Sequence, residues 1–171
     1  FENANEGIDT IVADASFTLA DNFENLTFSG SSNAIGRGNA VRNTLIGNAG
    51  DNVLYGEGGD DSLDGRAGNN TLVGGTGNDT LIGGAGKDVL NGGTGKDIFK
   101  LEKLIESGLT ATVRDTVKGF VRGQDKLGLS SLDANSTVTG NQAFSAFINS
   151  TAEFTKAGQL QRSEEHTSEL Q

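Results

Sequence analysis

Residues 38–100 read GNAVRNTLI GNAGDNVLY GEGGDDSLD GRAGNNTLV GGTGNDTLI GGAGKDVLN GGTGKDIFK. Seven blocks of nine residues follow one another without a slip, so internal repetition is the first fact of the chain. Each block opens on Gly: Gly38, Gly47, Gly56, Gly65, Gly74, Gly83 and Gly92. The eighth position is Leu45, Leu54, Leu63, Leu72, Leu81, Leu90 and Phe99. The sixth is Asn43, Asn52, Asp61, Asn70, Asp79, Asp88 and Asp97. Glycine at this density opposes helix. It suits a tight turn, because Gly reaches positive φ and lets carbonyl oxygens converge. The last three residues of a block, such as Thr80-Leu81-Ile82, suit a short strand whose central Leu faces one way. Two blocks then make one 18-residue coil of turn, strand, turn, strand. The fold class expected is all-β: a parallel solenoid with its leucines stacked between two sheets.

Stacking places block n under block n+2. One edge lines up Asn43, Asp61, Asp79 and Asp97, and the other Asn52, Asn70 and Asp88. Adjacent coils lie about 4.8 Å apart. Like charges at that spacing repel by about 1 kcal/mol even in water. A hard divalent cation reverses the sign of that interaction. Carboxylate and carbonyl oxygens suit calcium, whereas magnesium demands stricter geometry and keeps its waters. Zinc and copper lack the thiols and imidazoles they prefer.

Composition points the same way. The 171 residues include 26 Gly and no Pro, Cys, Met or Trp, with 34% hydrophobic and 6% aromatic residues. That is too little apolar mass for an ordinary globular core. A repeat with a narrow core and a second source of stability fits better. The formal charge of −10 disfavours nucleic acid and anionic membrane surfaces as partners. No apolar run is long enough to span a membrane, and without Cys there is no disulfide to stabilise the fold. The start at Phe1 reads as that of a fragment.

The last ten residues, RSEEHTSELQ at 162–171, break every pattern before them. They are similar to the in-frame translation of a sequencing adapter and are set apart from the fold. Without their one Arg and three Glu the charge is −8. The one histidine, His166, lies in this tail. Before it there is neither His nor Cys, so HExxH, Ser-His-Asp and Cys-His catalysis are excluded and the fragment is expected not to be an enzyme. Asp60-x-Ser62-x-Asp64-Gly65 imitates an EF-hand start, but its twelfth position is Thr71 rather than Glu. No GxxxxGK[ST] phosphate loop is present. Arg37, Arg42 and Arg66 read as solvated surface residues.

The blocks resemble the GGxGxDxUx pattern of the RTX, or haemolysin-type, calcium-binding repeats. The resemblance implies a parallel β-roll with Ca2+ held between coils. Ligands would come from positions two, four and six of one block and one, three and six of the block one coil later. Position six would bind through its side chain and the others through carbonyl oxygens. Carried over, a first site takes Glu57, Gly59 and Asp61 with Gly74, Thr76 and Asp79. A second takes Gly75, Gly77 and Asp79 with Gly92, Thr94 and Asp97. On the other edge, a third takes Arg66, Gly68 and Asn70 with Gly83, Ala85 and Asp88. A fourth, Asn48, Gly50 and Asn52 with Gly65, Ala67 and Asn70, has no position-six carboxylate. The first two sites are expected to fill best and the fourth to be weak or empty, with amide ladders holding the Asn-rich coils.

The organisation expected is a degenerate β-repeat segment at 1–37, the RTX roll at 38–100, a C-terminal cap at 101–161 and the foreign tail at 162–171. In the first segment, residues 9–12, 17–19 and 24–28 read as strands, and its wording resembles the degenerate segments that precede RTX blocks. RDTVKGFVRGQDKLGLSSLDAN, GNQAFSAFI and AGQL resemble the cap of serralysin-type proteases. Phe120, Leu127, Leu129, Phe144, Phe147 and Phe154 are expected to form its core. Gly119 and Gly128 depart from the cap pattern where it usually carries Asp, and Asp115 and Asp125 read as turn or hydrogen-bonding residues. These resemblances imply a protein secreted from a Gram-negative bacterium by a type I apparatus. The parent would be a serralysin-like metalloprotease with its catalytic domain upstream, or alternatively a non-enzymatic RTX adhesin or surface-layer protein.

Overall fold

The computed structural model describes residues 7–100 and 115–128. Within them every strand pairing is parallel. The chain winds as a β-roll, alternating between two sheets. One holds β1 (Thr10–Ala13), β3 (Asn25–Phe28), β5 (Thr44–Ile46), β7 (Ser62–Asp64), β9 (Thr80–Ile82), β11 (Ile98–Lys100) and β13 (Lys126–Gly128). The other holds β2 (Phe17–Thr18), β4 (Ile35–Arg37), β6 (Val53–Gly58), β8 (Thr71–Thr76), β10 (Val89–Thr94) and β12 (Thr116–Lys118). Both sheets therefore run beyond the regular repeats, upstream through β1–β4 and downstream into 115–128.

The register is that of an 18-residue coil: Leu45 faces Leu63, Leu63 faces Leu81, and Leu81 faces Phe99. Opposite them stand Leu54, Leu72 and Leu90. All seven side chains are fully buried. The columns continue at their ends with Leu26 and Leu127 on one side and Gly36 and Val117 on the other. Gly36 has no side chain to give, and Phe28 fills the space: a methyl carbon on Gly36 would fall 3.2 Å from the Phe28 ring. At the other end Phe120 packs on Phe99, ring centroids 6.0 Å apart. Phe120 and Leu127 pack against the edge of this core, while Leu129, Phe144, Phe147 and Phe154 lie outside the described residues.

The strands are not uniformly three residues long. In β6, β8 and β10 pairing runs on into the turn, so that Glu57 pairs with Gly75 and Gly75 with Gly93. The coils stack so closely there that turn backbone makes the same ladder as strand backbone. In the blocks from Gly56 onward position two takes positive φ, which Gly75, Gly84 and Gly93 supply. Glu57 (φ 74°) and Arg66 (φ 69°) are forced into it. A residue with a Cβ loses about 1–2 kcal/mol in the left-handed region. Arg66 gains only an exposed ion pair to Asp64 at 3.3 Å, a weak contact. Arg66→Gly is accordingly expected to stabilise the calcium-saturated roll by about 0.5–1 kcal/mol, after the greater freedom of Gly in the unfolded chain is offset. Urea unfolding at saturating calcium measures this, and a loss of stability would contradict it.

Candidate metal centre

The position-six side chains form two inner rows. On the first edge the Asn43 N–H donates to Asp61 Oδ1 (2.7 Å), Asp61 N–H to Asp79 Oδ1 (2.8 Å) and Asp79 N–H to Asp97 Oδ1 (3.0 Å). On the second, Asn52 N–H donates to Asn70 Oδ1 (2.8 Å) and Asn70 N–H to Asp88 Oδ1 (2.7 Å). Each rung hands a backbone donor to a side chain one coil downstream. That occupies one oxygen of each carboxylate and leaves the other aimed into the turn.

Those second oxygens identify the site. Oδ2 of Asp61, Asp79, Asp88 and Asp97 is buried and has no hydrogen-bond partner, an arrangement that costs several kcal/mol unless something positive compensates it. They are not isolated from other oxygens. A methyl carbon on Gly56 would fall 2.3 Å from Asp61 Oδ2 and 2.5 Å from the Gly74 carbonyl oxygen. One on Gly74 would fall 2.2 Å from Asp79 Oδ2 and 2.5 Å from the Gly92 carbonyl oxygen. Position one must be Gly because carboxylate and carbonyl oxygens converge on it. Among the described residues no group of three or more His, Cys, Asp or Glu comes together. The donor set is carbonyl-rich with paired carboxylates, which is the chemistry of a calcium site rather than of a transition-metal site. The residues present fit Ca2+.

The first two predicted sites are thus brought together around Asp61 with Gly74 and around Asp79 with Gly92. Glu57 and Gly59 stack on Gly75 and Gly77, their carbonyl oxygens 2.1 and 2.0 Å from methyl positions on those glycines. The Glu57 carboxylate points away, to Arg37 at 2.8 Å, and Arg37 also covers the Tyr55 ring at 4.0 Å. Thr76 pairs with Thr94, whose carbonyl accepts the Gly77 N–H at 2.9 Å. In the third site the Arg66 carbonyl accepts the Ala85 N–H (2.7 Å), the Gly68 and Gly83 carbonyls accept from the Asn70 side-chain amide, and Asp88 Oδ1 accepts the Asn70 main-chain N–H. In the fourth, Asn52 bonds within its own turn to Asn48.

Burial raises the pKa of the inner carboxylates. Asp61 is pushed up to about 7, chiefly by loss of water; the Asn43 N–H opposes the shift, and Asp79 and Asp60 add repulsion. Asp79 is raised to about 6 by burial, with repulsion from Asp97 and Asp60 adding to it against the Asp61 N–H. Asp88 and Asp97 are raised by burial as well.

Two members of the rows were read from sequence only as turn or hydrogen-bonding residues. The Asp88 N–H donates to Asp115 Oδ1 (2.9 Å) and the Asp97 N–H to Asp125 Oδ1 (3.1 Å), so these side chains take the next position-six rung on each edge. Burial raises Asp115 to about 6. The first edge ends in protein donors: Val121 N–H reaches Asp125 Oδ2 at 2.8 Å, and the Gln124 side-chain amide donates to the Gly95 carbonyl. An outer row at position five was missed altogether. It runs the opposite way, each side chain accepting from the next coil downstream. Asp51 N–H bonds Asn33, Asn69 N–H bonds Asp51, and Lys87 N–H bonds Asn69. Asn78 N–H bonds Asp60 and Lys96 N–H bonds Asn78. Its only signal in sequence is Asp or Asn at the fifth position of consecutive coils.

Residues 37–72 and 64–99 match the family model described as the RTX calcium-binding nonapeptide repeat, four copies. None of the curated proteins and none of the solved structures compared matches the chain. With the phase of nine, the parallel roll and the position-six rows in place, residues 37–99 are RTX calcium-binding nonapeptide repeats.

Proposed function

We propose that this chain is a non-catalytic module whose folding is coupled to calcium in a secreted bacterial protein. The carrying observation is the set of four buried carboxylate oxygens without partners, at Asp61, Asp79, Asp88 and Asp97. A coil buries about two large apolar side chains, too little to offset the entropy of ordering 18 residues. Bound calcium supplies the deficit, because a ligand that binds only the folded state stabilises it by mass action. Asp61, Asp79, Asp88 and Asp97 would hold the ion with turn carbonyls, joined by Asp115 on the second edge. The ion neutralises charge that the fold buries.

Extracellular calcium modules work at about 10⁻⁴–10⁻³ M. In low-calcium cytosol the acidic segment stays open for passage through a type I apparatus; outside it folds and supports its partner domain. The resemblance of the stretch from Arg114 to Asn135 to the serralysin-type cap supports a serralysin-like hydrolase as parent. The extension of the roll through β1–β4 favours the adhesin alternative. Among the described residues no helix is long and apolar enough to cross a membrane. Far-UV circular dichroism of the full chain during a calcium titration tests the proposal. The expected result is a cooperative rise of β signal near millimolar calcium, absent with magnesium. A strong β signal in chelator at pH 8, unchanged by calcium, would sink it.

A further inference from the structure

Position six separates two kinds of coil. Where it is Asp, one carboxylate oxygen is left without a donor. Where it is Asn, the second atom of the group is a donor itself and finds acceptors in its own turn or in a neighbouring coil. Asn70 is the clearest case. The Asn52 N–H fixes its Oδ1 at 2.8 Å, which turns the amide nitrogen inward. That nitrogen donates to the carbonyls of Ala67 (3.1 Å), Gly68 (3.3 Å) and Gly83 (3.5 Å). Gly68 and Gly83 are two of the carbonyls expected to ligate calcium in the third site. A methyl carbon on Gly65 would fall 2.6 Å from the Gly83 oxygen and 2.7 Å from Asn70 Nδ2. At Gly56 and Gly74 the corresponding neighbour is a carboxylate oxygen.

Nearer the N-terminus the position-six amides are occupied in another way: the Asn43 amide donates back to the preceding coil, to the carbonyls of Phe23 (2.9 Å) and Glu24 (3.3 Å). The Asn52 amide donates to Asn48 Oδ1 (3.2 Å), and Asn48 donates to Ser29 and Ser32, both at 3.0 Å. Position two assists here: Asn39 donates to Ala20 and Phe23 at 2.7 and 2.8 Å, whereas the later blocks carry Gly at 75, 84 and 93.

We propose that Asn70 closes its turn to calcium by placing an amide nitrogen on the carbonyl oxygens a cation would need. An –NH2 group presents hydrogens to those oxygens and carries partial positive charge, so it competes with the ion rather than ligating it. Asn70 is a specificity-determining residue: calcium is confined to the rungs from Asp61 onward on one edge and from Asp88 onward on the other. This rests on the calcium reading above. It differs from a site weakened by one lost charge, which would still count an ion at saturation.

The test is a calcium count on the full chain by isothermal titration calorimetry, wild type against Asn70→Asp. Asp keeps an Oδ1 to accept the Asn52 N–H, so the row survives. One more ion per chain in the variant is the expected result. An unchanged count with tighter binding overturns the proposal, because Asn70 was then already a ligand. Should Asn70→Asp fail to fold, the ¹⁵N-labelled wild type decides: at saturating calcium the Asn70 side-chain amide protons stay protected from solvent exchange. Rapid exchange overturns the proposal. A wild type that binds no calcium defeats the calcium reading itself, which is a different outcome.

Discussion

Asp79→Asn is expected to raise the calcium concentration at the folding midpoint by about 10- to 100-fold. Asp79 serves two coils. Its Oδ1 takes the Asp61 N–H at 2.8 Å, and its Oδ2 stands with the Gly92 carbonyl at the turn of the second site. Asn retains the first role and replaces the second oxygen with an amide nitrogen. Losing one charged contact removes about 1.5–3 kcal/mol, and each 1.4 kcal/mol is tenfold. The neutral residue also relieves the metal-free form of a buried charge, so that form becomes more stable as the calcium response weakens. A calcium titration followed by circular dichroism reads both effects. Asp60→Asn is the control: Asp60 is exposed, belongs to the outer row, and Asn there can still accept the Asn78 N–H. An Asp79→Asn midpoint equal to that of the control would remove Asp79 from the site.

The second large effect is that acid replaces calcium. In chelator the roll is expected to gain β structure as pH falls from 8 to 4. The unfolded carboxylates titrate near 3.9. In the fold Asp61 titrates near 7 and Asp79 and Asp115 near 6, with burial the main cause in each case. The folded state therefore holds more protons between pH 4 and 7, and stability falls as pH rises through that window. Below about 4 the full gain is present, because both states are protonated. Above about 7 the carboxylates ionise in place, and only a cation restores the balance. With calcium the slope reverses, since protons and calcium compete for the same oxygens. Circular dichroism across pH 4–8, with and without calcium, reads the two slopes. A chelated chain that gains structure toward alkaline pH would contradict the assignment.

Much of this was legible in the sequence because one periodicity carries several constraints. The phase of nine fixes the coil, and a coil of 18 fixes which residues stack. Leu45, Leu63, Leu81 and Phe99 form a column for the same reason that Asn43, Asp61, Asp79 and Asp97 form a row. What escaped lies where the phase breaks or the chemistry looks ordinary. Asp115 and Asp125 enter the rows 27 and 28 residues after their partners rather than 18, so counting in nines does not find them. The long strands β6, β8 and β10 include Gly and Thr residues that read as turn; close stacking overrides that preference. Asp51, Asp60, Asn69 and Asn78 look like solvated loop residues until the next coil supplies their donors. At Asn70 the sequence shows the missing charge but not the direction of the amide, which only the stacked coils fix.

The outer row also carries its own full stop. Asp51, Asp60, Asn69 and Asn78 each offer an oxygen to the coil that follows. Lys87 and Lys96 receive such a bond but have no acceptor to pass on. The coil and its outer row are therefore set by different letters: glycine and leucine repeat the unit, while a lysine at position five ends the outer row of bonds. An array lengthened by copying residues 65–82 keeps an acceptor in every new coil. One lengthened by copying residues 83–100 loses the outer bond at every added joint, though its leucines and aspartates stay in phase.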